Sequence, residues 1–530
     1  MICVTGFGGA PLKNGFFEQE SMYVRKKKNR SGTTSVVVFD KSGGYRELHT
    51  VGVSSDPEEI RILCLKGREW IDQHIGQQSL DFDKGENRKS IVLDVLESVS
   101  DVLINGTELI LNRAFEVIGF DAVKDDVLRA LVISRLTFPS SKAATSGYLK
   151  AYFDEDLSLN HIYRYLDRLH STEKKRIEAI STEHTRKILG GTLGVLFYDV
   201  TTLYFETDEE DSLRKPGWSK DGKHSNPQII LGLLVSMGGY PLAYSIHEGN
   251  SYEGRTLLPI IKSFAQEHHL EDFIVVADSG LMNSANMAEL ERLGYRYILG
   301  ARIKNMKGSF KEEVLRCPRT EGSAHDVPLE GERRLLVTWS SARAKKDAHN
   351  REKGVRRLEK AFAKGRLNKE QVNKRGYNKF LDISDNITVG INRERIADDA
   401  KWDGLKGFIT NSDLSASQIL DSYGNLWRIE RAFRISKSKL EIRPVFHFTR
   451  RRIEAHICIC FIALKVYKEL ERRLEKAGIG MSVDKVLDIA KTITTIRVPI
   501  SKSETVSKTM ILTPMHKRIS LLFDRSFWED

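Results

Sequence analysis

The sequence predicts an α/β protein: a core with a mixed sheet, a mainly helical region before it, and a β-rich module inserted within it. Three observations predict this. From about 56 to 190 apolar residues recur at three- and four-residue steps, the period of an amphipathic helix. From 195 the pattern changes to β-branched and aromatic runs separated by turn signals,. Beyond 253, helical segments alternate with short apolar strands, the rhythm of βαβ units.

In order, residues 1–21 show no clear periodicity and read as an upstream extension of a chain starting at Met22. "GFGG" at 6–9 has no strand before it and no Lys-Ser/Thr after it, so it is not read as a phosphate loop,. "TSVVVFDKSGGYRELHTVGV" predicts a hairpin around Lys-Ser-Gly-Gly,. Arg25, Lys26, Lys27, Lys28 and Arg30 precede it, as a solvated arm or a phosphate-binding one,. The helices to 190 include one capped by Ser158,. "VLFYDVTTLYFE" (195–206), "PQIILGLLVSM" (227–237) and "YPLAYSIHEG" (240–249) predict three strands. A helix at about 253–268, the strand "DFIVVADSG" (272–280), a helix from Ser284 and the strand "YRYILGAR" complete a mixed sheet,.

Residues 303–400 interrupt that order. "RRLLVTWSS" and "ISDNITVGIN" read as strands around a basic helical excursion, and 341–380 holds fourteen Lys or Arg against four Asp or Glu. Helices at 414–437 and about 451–475 resume the core, followed by a helical C-terminal appendage. The resulting division is 1–21, an N-terminal region 22–190, a core 191–302, a basic β-rich insertion 303–403, a second core segment 404–475, and 476–530.

The 530 residues suffice for a large core and several domains,. No run of about 18 uncharged apolar residues exists, and the start lacks the pattern of a secretory signal,. Five cysteines, odd in number and sparse, fit a reducing cytosol,. The net charge of +11 points to a polyanionic partner, nucleic acid first, although a merely basic protein stays open,.

Asp199 sits inside an apolar strand and Asp278 at the end of another. A carboxylate in such a place needs a partner. A divalent cation between the two would relieve their repulsion, and hard oxygen ligands select Mg²⁺ or Mn²⁺. Pairing with a buried Arg, or a strand-end turn, is the alternative for each. Tyr423, Glu430 and Lys437 are spaced at i, i+7 and i+14, so on one α-helix they share a face. Glu430 then aims at the metal, while Leu426, Trp427 and Phe433 pack the helix on the sheet. His447 and His456 read as core or DNA-facing rather than metal ligands, and Cys458 and Cys460 as core,. Trp339 is read as packing the insertion, with base stacking as its alternative.

Asp199 in "FYDVTTLYFE", Asp278 in "VVADSGLMNSAN" and the Tyr-x6-Glu-x6-Lys helix together resemble the DDE transposases of bacterial insertion sequences. The similarity is greatest to the IS-four superfamily group with a Tyr-Arg-Glu-Lys signature. "SKDGKHSNPQIILGLLVSMGGYPLAYSIHEGNSYEG" and "RPVFHFTRRRIEAHI" also resemble segments of that group, and the likeness spans roughly 22 to 470. One departure is Leu426, which stands where the signature has Arg; Arg434, four residues after Glu430, is placed to reach a phosphate instead.

The resemblance implies an RNase H-like core and metal-assisted phosphoryl transfer, with Asp199, Asp278 and Glu430 as catalytic metal ligands. Tyr423, Lys437, Arg434, Arg25, Lys26, Lys27, Arg356 and Arg357 would then contact DNA. It also implies double-stranded DNA partners (terminal inverted repeats and target), a homodimer in the DNA complex, no membrane, and the bacterial cytoplasm at the nucleoid.

Overall fold

The structure is a computed structural model, and it describes residues 22–75, 93, 95–153, 156–219, 222–281, 283–366, 373, 376–384, 388–500 and 504–523. The expected extension 1–21 lies outside the described residues, as does part of the basic stretch, 367–372. The chain forms two compact units that meet at 98/99.

The first unit is an antiparallel sheet of β1 (Met22–Lys28), β2 (Thr34–Asp40) and β3 (Arg46–Ser54), with helix α1 (Pro57–Ile75). The expected hairpin is β2–β3. The basic arm is itself strand β1, in register Arg25↔Val37 and Lys26↔Val36. An edge strand accepts this charge because its solvent side is open, and the cations discourage further strand pairing. Arg25, Lys26 and Lys27 are exposed, and Lys27 Nζ lies 3.9 Å from Glu47. Helix α1 approaches the sheet at Gly67, where a Cβ would stand 3.0 Å from Val24 and 3.2 Å from Val51.

The second unit begins with β4 (Asp101–Leu103) and five helices: α2 (Gly106–Ile118), α3 (Asp126–Thr137), α4 (Lys142–Phe153), α5 (Leu159–Thr172) and α6 (Lys174–Ile188). Then come β5 (Val195–Tyr204), β6 (Gln228–Ser236), β7 (Pro241–Glu248), α7 (Leu257–Glu267), β8 (Ile274–Ala277), α8 (Ser284–Arg292) and β9 (Arg296–Ala301). Next follow α9 (Gly308–Leu315), β10 (Ala324–Pro328), β11 (Arg334–Trp339), α10 (Ser341–Ala363), β12 (Leu381–Ser384), β13 (Thr388–Ile391), α11 (Arg393–Ala400) and β14 (Leu405–Thr410). The chain closes with α12 (Ala416–Gly424), α13 (Trp427–Ser438), α14 (Arg450–Lys476), α15 (Val483–Ala490), β15 (Thr495–Pro499), β16 (Thr505–Thr509) and α16 (Pro514–Ser520).

The eight-stranded sheet runs β10-β11-β14-β9-β8-β5-β6-β7. Strands β5, β6 and β7 are antiparallel neighbours, while β5-β8 and β8-β9 are parallel. This is the mixed sheet that was expected for the core. One face packs on α7 and α8, the other on α12, α13 and α14. Helix α14 is buried almost all round from Ile453 to Leu470, as a helix at the centre of a core must be. Helices α2, α3 and α5 pack around it.

Three expectations differ from what is observed. The contacts divide the chain at 98/99, so α2–α6 belong with the sheet rather than with β1–β3. The insertion is not a separate β-rich domain. "RRLLVTWSS" supplies β11, whose Leu335, Leu336 and Val337 are fully buried; a strand covered on both faces belongs in the main sheet. Among the described residues, the β12–β13 ribbon and the second half of α10 form a small cluster of their own, around Val355, Leu358, Phe380, Leu381 and Val389. The C-terminal segment is only partly helical, because β15 pairs with both β16 and β4. Gly106 is required there, since a Cβ would stand 2.4 Å from Ala490 O.

Candidate active site

Alternate residues of a strand face opposite sides. On β5, Leu196, Tyr198 and Val200 enter the core beneath α7 and α8, while Phe197 and Leu203 enter the core beneath α13 and α14. Asp199 therefore faces α13. The parallel register runs from Val195↔Ile274 to Tyr198↔Ala277. One step further sets Asp199 beside Asp278, on strands about 4.8 Å apart. Both line one cleft, which lies at the carboxyl end of β8 and beside the middle of β5.

Asp199 is half-buried and its Oδ1 accepts the Val200 N–H at 2.8 Å. Asp278 is exposed, and its Oδ1 accepts the Tyr423 hydroxyl at 3.2 Å. Gly300 on β9 leaves room for that pair: a Cβ would stand 2.6 Å from the Tyr423 hydroxyl and 3.4 Å from Asp278 Oδ1. The Tyr423 ring packs on Phe408 at 4.7 Å, and Lys406 Nζ lies 4.2 Å from its centroid. Burial pushes the Tyr423 phenol up; Asp278, Asp199 and Glu430 push it the same way. It is thus held as a neutral donor within the field of all three carboxylates. Burial lowers the Lys406 ammonium and Arg343 adds to this, while Asp278 and Glu430 oppose.

The expected continuous helix 414–437 is broken. Between α12 and α13 the N–H groups of Leu426, Arg428 and Ile429 reach only three residues back, to Tyr423 O at 3.0 Å, Asn425 O at 2.9 Å and Leu426 O at 3.2 Å. This 3₁₀ tightening shifts the phase of the heptad stripe. Tyr423 and Glu430 line the cleft; Lys437, half-buried, and Arg434, exposed, are not among the residues that do. Leu426 and Phe433 are buried as expected, but Trp427 is 44% exposed and lines the cleft, with the Arg428 guanidinium 5.1 Å from its ring.

The cleft has a volume of about 1090 Å³. Arg302, Arg343 and Lys406 bring positive charge into it, and all three escaped the sequence reading. Lys406 lies within "GLKGFIT" and carried the signal that marked Asp199, a charge inside an apolar strand. Arg302 and Arg343 gave no local signal. Arg356 and Arg357 are exposed on α10 away from the cleft lining, and Arg356 pairs with Glu352 at 3.3 Å. Trp339 donates Nε1–H to Asp403 O at 3.0 Å and packs, half-buried, against the core. His447, His456, Cys458 and Cys460 are buried.

The carboxylates offer only hard oxygen donors, so they fit Mg²⁺ or Mn²⁺ in kind. Among the described residues, no three His, Cys, Asp or Glu side chains form a ready-made metal cluster. The three share the cleft without yet closing on one point.

Two carboxylates on adjacent parallel strands of a mixed sheet, with a third on a helix that lines the same cleft, make a candidate nucleic-acid-processing site. The family model for the transposase DDE domain matches residues 190–465, just over half of the chain, and the chain belongs to this family. Among solved structures, it is similar to the piggyBac transposase in a synaptic complex with hairpin DNA, determined by cryo-EM. That similarity has 12% identity, 68% of each chain covered and a TM-score of 0.37. No curated protein matches the chain, and no helix among the described residues is long and apolar enough to cross a membrane.

Proposed function

We propose that this protein is an insertion-sequence transposase of the IS-four superfamily type. It binds the terminal inverted repeats of its element, as a homodimer on double-stranded DNA, and carries out Mg²⁺- or Mn²⁺-dependent cleavage and strand transfer in the bacterial cytoplasm. The observation that supports this most is the juxtaposition of Asp199 and Asp278 across the β5–β8 register, in one cleft with Glu430, inside the matched DDE domain.

Asp199, Asp278 and Glu430 would hold the cations. When bound, these supply an activated attacking oxygen, water or a 3′-hydroxyl, and stabilise the leaving oxygen. The chain's own groups do the rest. Tyr423 orients Asp278 through its hydroxyl, and the Val200 N–H orients Asp199. Arg302, Arg343 and Lys406 attract the phosphates of the scissile strand into the cleft. Arg434 and Lys437 on α13, Arg356 and Arg357 on α10, and Arg25, Lys26 and Lys27 on β1 bind the backbone outside it.

The test is a joining assay: an end-containing duplex and a target plasmid, with Mg²⁺ or Mn²⁺. Cleaved ends joined to the plasmid are expected. Nicks without joined products would make the protein a nuclease; specific binding without cleavage would make it a DNA-binding protein that has lost catalysis.

A further inference from the structure

Arg135 closes α3, Lys142 opens α4, His447 lies in the segment between α13 and α14, and His456 is on α14. All four are buried: Arg135 and Lys142 are 5% exposed and His447 8%. Buried charges in folded proteins are normally paired with opposite ones. Here no carboxylate is among the groups acting on Lys142 or His447. The charged and titratable groups acting on Lys142 are Arg135 and Cys460; those acting on His447 are Lys142, Arg135 and Arg452. Among the described residues, Lys142 has no hydrogen-bonding or ion-pair partner, although its side chain is more than nine-tenths buried. Arg135 donates one N–H to Ser140 O at 3.3 Å. His456 uses its Nε2–H on Ile442 O at 3.1 Å, and its ring lies 5.5 Å from that of His447.

The same place is the N-terminus of α4, a twelve-residue helix whose first turn is tied by Ser141 Oγ accepting the Ala144 N–H at 3.2 Å. A helix N-terminus carries partial positive charge and unsatisfied N–H groups. An unpartnered ammonium, a guanidinium and an imidazole beside it make a cationic site whose missing component is an anion.

We propose that Arg135, Lys142, His447 and the N-terminus of α4 form a binding site for one phosphate group, separate from the carboxylate cleft. The phosphate is either a free ion or one phosphate of a DNA backbone; the second form rests on the function proposed above. Bound there, the phosphate supplies the negative charge that the cluster lacks. It links α3, α4 and the segment after α13, and so fixes the region that follows Glu430.

Two arms on the full-length protein, wild type and Lys142→Met, separate the sources. In the first, inorganic phosphate is compared with chloride at equal ionic strength near pH 7, and the melting temperature is read. In the second, affinity for a 20-base-pair duplex is read across a salt series. If the source is free phosphate, it raises the wild-type melting temperature, the gain is absent in Lys142→Met, and DNA affinity is unchanged. If the source is DNA, Lys142→Met weakens duplex binding about tenfold and lowers the salt slope by about one, with little response to inorganic phosphate. If Lys142→Met alters neither reading, the proposal is overturned. Should that variant not fold, His447→Gln carries the same comparison. Wild-type cleavage of an end-containing duplex is scored in parallel. The phosphate arm can therefore fail while the transposase reading stands, and the reverse.

Discussion

The Tyr423–Asp278 hydrogen bond and Gly300 beside it set the geometry of the cleft. Removing the hydroxyl in Tyr423→Phe should slow cleavage by about ten- to a hundredfold, because a small misplacement of a catalytic group is costly. It should cost only about 1 kcal/mol of stability and leave DNA affinity unchanged. Single-turnover cleavage and denaturant melts check this. Gly300→Ala should act through the same pair: its Cβ meets the Tyr423 hydroxyl at 2.6 Å, so cleavage falls while stability drops by about 1–3 kcal/mol. At this scale the sequence was informative wherever chemistry opposed its surroundings. Asp199 and Asp278 were visible as charges on apolar strands, and Lys406 carried the same signal unread. Arg302, Arg343 and Trp427 were not visible, because only the packing of β9, α10 and α13 brings them into one cleft.

Strands β5 to β9 and helices α7 and α8 lie close to where periodicity and turn residues put them. The break between α12 and α13 was not readable from "DSYGNLWRIE", since Asn425 and Leu426 both keep right-handed helical backbone angles. Only their three-residue hydrogen bonds mark the turn. The placement of β10 and β11 was likewise hidden. An apolar strand does not say which sheet it joins, and "RRLLVTWSS" finds β14 only after α10 and the ribbon have been looped out. Helix α10 yields a prediction of its own. Arg356, Arg357, Lys360 and Lys364 are exposed on it, so replacing all four with Ala should leave the fold intact. It should weaken duplex binding and reduce its salt slope by up to about three or four. Unchanged affinity at physiological salt would make these residues a solvated face.

Across the molecule, stability and activity should respond to pH and metal in ways set by the groups already placed. Burial, then Lys142, Arg135 and Arg452, hold His447 down at about 4 from 6.5. Between these values the unfolded chain binds the extra proton, so stability falls as pH drops from about 6.5 to 4. His447→Gln should flatten that part of the profile in denaturant melts. Lys142, lowered from 10.5 to about 7 by burial and then Arg135, makes stability fall as pH drops from about 10.5 to 7 and adds nothing further below.

The central claim, that Asp199 holds a catalytic cation with Asp278 and Glu430, is tested most directly by Asp199→Asn. Thermal stability with and without Mg²⁺ is measured beside cleavage of an end-containing duplex. Asn keeps the shape and an oxygen for the Val200 N–H, but removes the charge that attracts the cation and the repulsion with Asp278. The expected result is a protein that binds its DNA, melts no lower than wild type without metal, gains nothing from Mg²⁺ and does not cleave. An Asp199→Asn protein that melts several degrees earlier, or cleaves at near wild-type rate, would contradict it.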